Sequence, residues 1–283
     1  MLFPLLLAAA FEFTPADAHV AWETASRLVA DCTPRDAGTI RGRIAANRIL
    51  DVASATGADV RRDVFRAMTP KGEREFANLY AEFRSGSETD RWVIVISHFD
   101  TKPGTGCPGA NDGASTSGLL VGLSNVLLRR PEPKGNVMLV WTDGEESMVA
   151  YGANDGFWGS KRTAAYVAGK GRRIQAVVCV DMIGDEDLHI SIPSNGSPAL
   201  ARIAQHAARR IGEESLVSLI PERVLDDHVA FLDRGYKAID LIDFSYGPGN
   251  AWWHTAADTM EHVSEKSLLR SGKLLVEMLK ILL

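Results

Sequence analysis

A chain of 283 residues, 46% hydrophobic and 24% charged, has the make-up of an ordinary folded protein and enough length for one large α/β domain. Its formal net charge of −5 argues against a nucleic-acid partner, which needs a concentrated basic face; basic pairs such as Arg129-Arg130 and Arg209-Arg210 are scattered. No apolar run approaches the ~20 residues that span a bilayer.

In chain order, MLFPLLLAAAFEF comes first: a short apolar core followed by small residues. It resembles a secretory signal with cleavage after Ala10, so residues 1–18 are read as a signal or N-terminal segment and 19–283 as a single domain. A cleaved signal implies export to the periplasm or medium; a first helix packed on the domain would leave the protein cytoplasmic. HVAWETASRLVADC and AGTIRGRIAANRILDVASATG carry apolar residues at helical spacing, the second stopped by Gly57. DVRRDVFRAM and FANLYAEF alternate like half-buried antiparallel strands, with TPKGERE as the turn between them. From Trp92 the texture changes. WVIVIS, NVMLVWT, AVVCVDMI and AIDLID are short continuous apolar runs, suited to strands covered on both faces. Helical patterns at Ser115–Arg130, Gly159–Ala168, Pro198–Ile211 and Ser264–Leu283 lie between and after them. This alternation predicts a three-layer α/β/α sandwich around a mixed, largely parallel sheet, whose ligand site lies beyond the carboxyl ends of the strands. The amphipathic C-terminal helix is expected to pack on the sheet, and the protein to be a monomer.

Cys179 falls inside a strand, where a thiol behaves as a small hydrophobe. Cys32 and Cys107 are the pair available for a disulfide in an oxidising compartment. There is no Cys-x-x-Cys, which argues against a thiolate zinc site.

Polar residues gather where the apolar runs end or in Gly-containing loops. VISHFD ends in His98 and Asp100, PGANDGAS carries Asp112, and VWTDGEE carries Glu145 and Glu146. VCVDMIGD supplies Asp181, and WWHTAADT supplies His254 and Asp258. A rim so rich in carboxylates repels itself unless a cation is present, and carboxylate with imidazole favours zinc of the hydrolytic kind. Of the paired glutamates, one can hold the metal while the other stays free as a proton shuttle with a perturbed pKa.

That order of motifs resembles the zinc aminopeptidases of the two-metal type and their single-zinc relatives, the animal-type glutaminyl cyclases. The resemblance runs from Trp92 to the C-terminus. It implies Asp112, Glu146 and His254 as metal ligands, with His98 and Asp181 completing a second site if two zincs bind. It implies Glu145 as general base and Asp100 as the group orienting His98. Several details favour the cyclase branch. DGEESMVAYG is similar to the cyclase segment after the paired glutamates, with Tyr151 as its aromatic, and HFDTK places Lys102 at the cyclase lysine. LDDHVAFLDRGY matches the cyclase Asp-Asp-His, which makes Asp226 a second proton-transferring carboxylate beside Asp181 and places His228 behind the site with Asp258. Trp253 and Tyr246 are implied as pocket aromatics. The chain departs from the animal cyclases in lacking their disulfide beside the His-x-Asp motif, since Ser97 precedes His98.

Two activities follow. A cyclotransferase would convert N-terminal glutamine of peptides or proteins to pyroglutamate with one zinc per chain. An aminopeptidase would use two zincs, bridged by Asp112, to activate water. A binding module retaining the fold is a third reading, and a complete set of ligands and base argues against it.

Overall fold

Two long strands, β1 (Val60–Thr69) and β2 (Gly72–Phe83), pair antiparallel from Val60 opposite Ala81 to Thr69 opposite Gly72. Only Pro70 and Lys71 are left for the turn, fewer than the sequence suggests. Cross-strand charge explains the extension, because Glu73 and Glu75 meet Arg66 at 3.2 and 3.6 Å. The next strands are β3 (Arg91–His98), β4 (Asn136–Thr142), β5 (Arg173–Asp181) and β8 (Ala238–Ile242). Two four-residue strands, β6 (Ile190–Pro193) and β7 (Val217–Ile220), were not foreseen; they are too short to show a period. In this computed structural model, which describes residues 11–86, 89–131 and 134–283, the strands form one sheet in the order β1-β2-β4-β3-β5-β8-β6-β7. The central run β4-β3-β5-β8 is parallel.

Side chains along β3 and β4 alternate between two cores. Val93, Val95, Val137, Leu139 and Trp141 face one layer of helices, and Trp92, Ile94, Ile96, Met138 and Val140 face the other. The first layer holds α1 (Pro15–Cys32), α2 (Ile40–Ala55), α3 (Thr116–Leu128), α5 (Pro198–Arg210) and α7 (Glu265–Leu282). The second holds α4 (Trp158–Gly169) and the short α6 (His228–Leu232). The expected three-layer α/β sandwich is therefore present, and α7 packs on the sheet as anticipated. No helix among the described residues is long and apolar enough to cross a membrane.

The folded unit begins ahead of residue 19. Thr14 and Asp17 form a reciprocal cap at the start of α1, and Asp17 pairs with Arg129 at 2.5 Å. The proposed cleavage site after Ala10 lies outside the described residues. Cys32, Cys107 and Cys179 are all buried free thiols, so the Cys32–Cys107 bridge is not formed.

Helices α1 and α3 meet through glycine. A Cβ on Gly118 would stand 2.1 Å from the Ala21 carbonyl oxygen, and one on Gly122 2.7 Å from that of Asp17. Backbone cannot yield as a side chain can, so Gly118→Ala should destabilise the protein by roughly 3 kcal/mol, the upper end of ordinary overpacking. A urea midpoint equal to wild type would show that the helices are free to separate.

Strand order reverses between β3 and β5: the chain passes from β3 through α3 to β4 on one side, and later returns to lay β5 on the other. Such a switch point opens a crevice past the carboxyl ends of the strands. His98 and Asp181, the last residues of β3 and β5, sit at that crevice.

Candidate active site

Three irregular turns bring further ligands to these strand ends. Gly109 (φ +65°) starts a π-helical turn, Ala110–Ser115, on which Asp112 is extended rather than helical (φ −81°, ψ 90°). Gly144 (φ +80°), just past β4, turns the chain so that Glu145 and Glu146 face the crevice. A Cβ at Gly144 would stand 2.6 Å from the Phe76 ring, so space as well as backbone angle calls for glycine. His254 itself adopts φ +58°, a conformation that non-glycine residues hold only when their surroundings enforce it.

The side chains converge in two overlapping sets. His98 Nε2 lies 3.2 Å from Asp112 Oδ1 and 3.2 Å from Asp181 Oδ1. His254 Nε2 lies 3.3 Å from Asp112 Oδ2 and 2.9 Å from Glu146 Oε1. Asp112 thus faces one imidazole with each oxygen. In both sets, His98–Asp112–Asp181 and Asp112–Glu146–His254, the potential ligand atoms lie within 4.8 Å of one another. Buried Asp112 Oδ2 and Glu146 Oε1 have no partner in hydrogen-bond geometry, despite the nearby His254 nitrogen. Lone pairs gathered this closely without hydrogen bonds fit a cation, and nitrogen–oxygen donors without sulfur suit zinc.

Supporting bonds fix these side chains. Asp100 accepts from the backbone N–H groups of Gly144, Glu145 and Glu146 at 2.9–3.1 Å. Its carboxylate is 3.6 Å from His98 Nδ1, and its own carbonyl oxygen is nearer at 3.2 Å. Holding the diglutamate turn is therefore its main task, beyond the orientation of His98 expected of it. Asp258 accepts from the Asn111 and Asp112 N–H groups at 2.7 and 3.2 Å, fixing the Asp112 turn. Asp155, which sequence reasoning missed, accepts from the N–H groups of Met148, Val149 and Ala150 and anchors the loop that carries Tyr151. The Tyr151 hydroxyl lies 2.6 Å from Glu146 Oε2 and 3.2 Å from Glu145 Oε2.

A cavity of about 230 Å³ opens over this set. Asp112, Glu145, Glu146, Asp181, Asp226 and His254 form its polar side; Tyr151, Val224, Leu225, Ile242, Phe244 and Trp253 form its apolar wall, and Arg223 also lines it. Trp253 stacks on His254 at 4.0 Å and meets Phe244 edge-on at 5.3 Å. Tyr246, expected in the pocket, is instead fully buried, its hydroxyl donating to Asp258 at 2.6 Å; Phe244 occupies the wall. Lys102 lies outside the lining, bonding to Ser147 at 2.7 Å with its ammonium 3.4 Å from Glu146. His228 is also away from the ligands: its Nε2 contacts Asn195 at 3.0 Å, and it serves the packing behind the site. The expected Asp181–Asp226 partnership acts through space. Asp226 sits against Cys179 and Asp240, a neighbour not foreseen from the sequence.

Burial and crowding hold protons here. Burial, then the charge of Glu146, pushes Glu145 well above the ordinary carboxylate range. Burial and His98 act oppositely on Asp181, which ends near 6, whereas burial and Asp181 together bring Asp226 to about 7. Against burial, Asp112 and Glu146 raise His254 to about 9. Each of these groups binds its proton more tightly folded than unfolded, so the stability they confer is lost as pH rises through the folded values. Asp112, held low by its two histidines, contributes only below the unfolded carboxylate value. The urea midpoint of metal-free protein should therefore fall between about pH 5 and pH 9, and stabilisation by zinc should grow over the same range as ligands lose protons. A rising metal-free midpoint would contradict this electrostatic picture.

An α/β sandwich with an imidazole–carboxylate cluster at its switch point defines a metallohydrolase-like class of protein. A match to the model of Peptidase family M28 spans residues 78–279, and the chain belongs to that family. It resembles the crystal structure of an Acidobacteriales bacterium glutaminyl cyclase at 31% identity and a TM-score of 0.87, with 94% of each chain covered. It is 26% identical over 254 residues to a Drosophila melanogaster glutaminyl-peptide cyclotransferase, covering 80% of this chain and 70% of the fly protein. Aminopeptidase YwaD of Bacillus subtilis is 28% identical over 194 residues, covering 64% of this chain and 39% of that protein.

Proposed function

We propose that this protein is a zinc-dependent glutaminyl-peptide cyclotransferase, converting N-terminal glutamine of peptides to pyroglutamate with release of ammonia. The observation that carries the reading is the small cavity lined by Glu145, which is free of the candidate ligand set, by Asp226 and by an aromatic wall. Likeness to cyclases over most of the chain supports it, where the aminopeptidase covers less.

Asp112, Glu146 and His254 would hold the zinc, which when bound supplies a Lewis acid for the γ-carbonyl oxygen of the substrate glutamine. Trp253 and Phe244 would grip the uncharged side chain and exclude water, so that the substrate's own amine is the nucleophile available. Glu145 takes a proton from that amine as its nitrogen bonds to the carbon of the side-chain carbonyl (Cδ), then returns it to the side-chain nitrogen as the Cδ–N bond breaks and ammonia leaves. Asp226, its neutral form favoured by burial, can accept a hydrogen bond from the amine N–H and orient it without adding another fixed charge. Trp253→Ala should raise KM for a glutaminyl peptide about tenfold or more with a smaller effect on kcat, because it removes ground-state grip. Equal loss in both would move Trp253 into the chemical step. Chelation should abolish ammonia release and zinc restore it; activity that persists after complete metal removal would defeat the zinc reading.

One observation favours aminopeptidase activity as the second reading: the His98–Asp112–Asp181 set is intact. Metal analysis at saturation separates the two, one zinc per chain for the cyclase and two for the peptidase.

A further inference from the structure

Arg35 lies between α1 and α2, remote in sequence from every residue of the crevice, yet its side chain is wholly buried. Among the described residues no carboxylate lies within ion-pair distance of it. Its planar fork is filled by carbonyl oxygens instead: Nε donates to Phe99 at 2.5 Å, Nη1 to Pro108 at 2.6 Å, and Nη2 to Gly109 at 2.5 Å and to Asp112 at 3.3 Å. The Arg35 N–H donates to Thr101 Oγ1 at 3.1 Å, tying the same segment from its backbone. Burying an unpaired cation is costly, and here that cost is offset by hydrogen bonds that an apolar side chain cannot make. These bonds join two segments that have no ladder between them, the residues after β3, which ends in His98, and the turn that presents Asp112. Gly109 is shaped for this contact, since a Cβ there would stand 2.7 Å from Arg35 Nη2 and 2.5 Å from the Thr101 methyl carbon. Burial disfavours the charge on Arg35, and the carboxylates of Asp258, Asp112 and Asp100 favour it through space.

We propose that Arg35 is a positioning residue for the metal site: its guanidinium fixes the Gly109–Asp112 turn against the end of β3, so that the Asp112 carboxylate stands between His98 and His254. The inference rests on the reading of Asp112, Glu146 and His254 as zinc ligands. Lysine offers one nitrogen where three are used, so it keeps the charge and loses the clamp.

Zinc affinity, measured by competition with a chromophoric chelator, and urea unfolding of the metal-free protein test this on wild type, Arg35→Lys, Arg35→Met and Leu28→Ala. Leu28 is an apolar core residue of α1 that makes none of these hydrogen bonds, and its truncation reports a loss of packing stability without removing the clamp. Both Arg35 variants should bind zinc roughly 10- to 100-fold more weakly, the effect of losing a group that orients a ligand. Leu28→Ala should lower the unfolding midpoint while keeping zinc affinity within about twofold of wild type, an affinity loss too small to reflect ligand orientation. Wild-type affinity in Arg35→Lys, or an equal loss of affinity in Leu28→Ala, would overturn the inference. Wild-type protein that binds no zinc would instead overturn the site reading beneath it.

Discussion

Glu145→Gln should leave a folded, zinc-binding protein whose kcat/KM on a glutaminyl peptide is lower by roughly 10³-fold, within the range of general acid–base catalysis. Glutamine matches the volume of this buried side chain and can still accept from the Tyr151 hydroxyl, which lies 3.2 Å from Glu145 Oε2. The turn that carries it depends on backbone bonds to Asp100, which the substitution does not touch. What an amide cannot do is accept a proton from the amine and return it. Zinc content and unfolding midpoint near wild type, beside lost turnover, would assign Glu145 to the proton. Activity within tenfold of wild type would remove it from the mechanism, and lost zinc would make it a ligand.

A second large effect is expected at Asp112, with a contrast at His98. Asp112 belongs to both ligand sets, so Asp112→Ala should abolish zinc binding and bring turnover to background. His98 belongs only to the set built around Asp181. If one zinc sits on Asp112, Glu146 and His254, His98→Gln should keep one zinc per chain and most of the activity. Parallel loss of zinc and turnover in both variants would speak for the two-metal arrangement.

Much of this was legible in the sequence because two periodicities overlap in it. Continuous, β-branched apolar runs such as WVIVIS and NVMLVWT suit strands covered on both sides, and polar residues at their carboxyl ends mark the crevice. His98 and Asp181 end β3 and β5 at the crevice for that reason, whereas Glu145 and Glu146 follow β4 through the Gly144 turn, and Asp112 and His254 come from loops marked by their motifs and not by a period. Residues on irregular backbone were not legible in the same way. The segment after β8 contains Gly247 at φ +73°, and no period tells which of Phe244 and Tyr246 turns toward the cavity; Phe244 does. Nor does sequence announce a side chain whose partners are carbonyl oxygens. Arg35 looks like one of many surface arginines, and Asp155 like one more loop acid, because the groups they bind have no side-chain identity. Asp240 was hidden differently: inside the apolar run AIDLID it passes for an interruption of the strand, and only the fold sets it against Asp226.

The most direct test is mass spectrometry of zinc-loaded protein with two peptides that differ only at the first residue, glutamine in one and leucine in the other. Loss of one ammonia from the glutaminyl peptide, with the leucyl peptide unchanged, is the predicted result. Release of free leucine, with no ammonia lost from the glutaminyl peptide, would contradict it and make the protein an aminopeptidase.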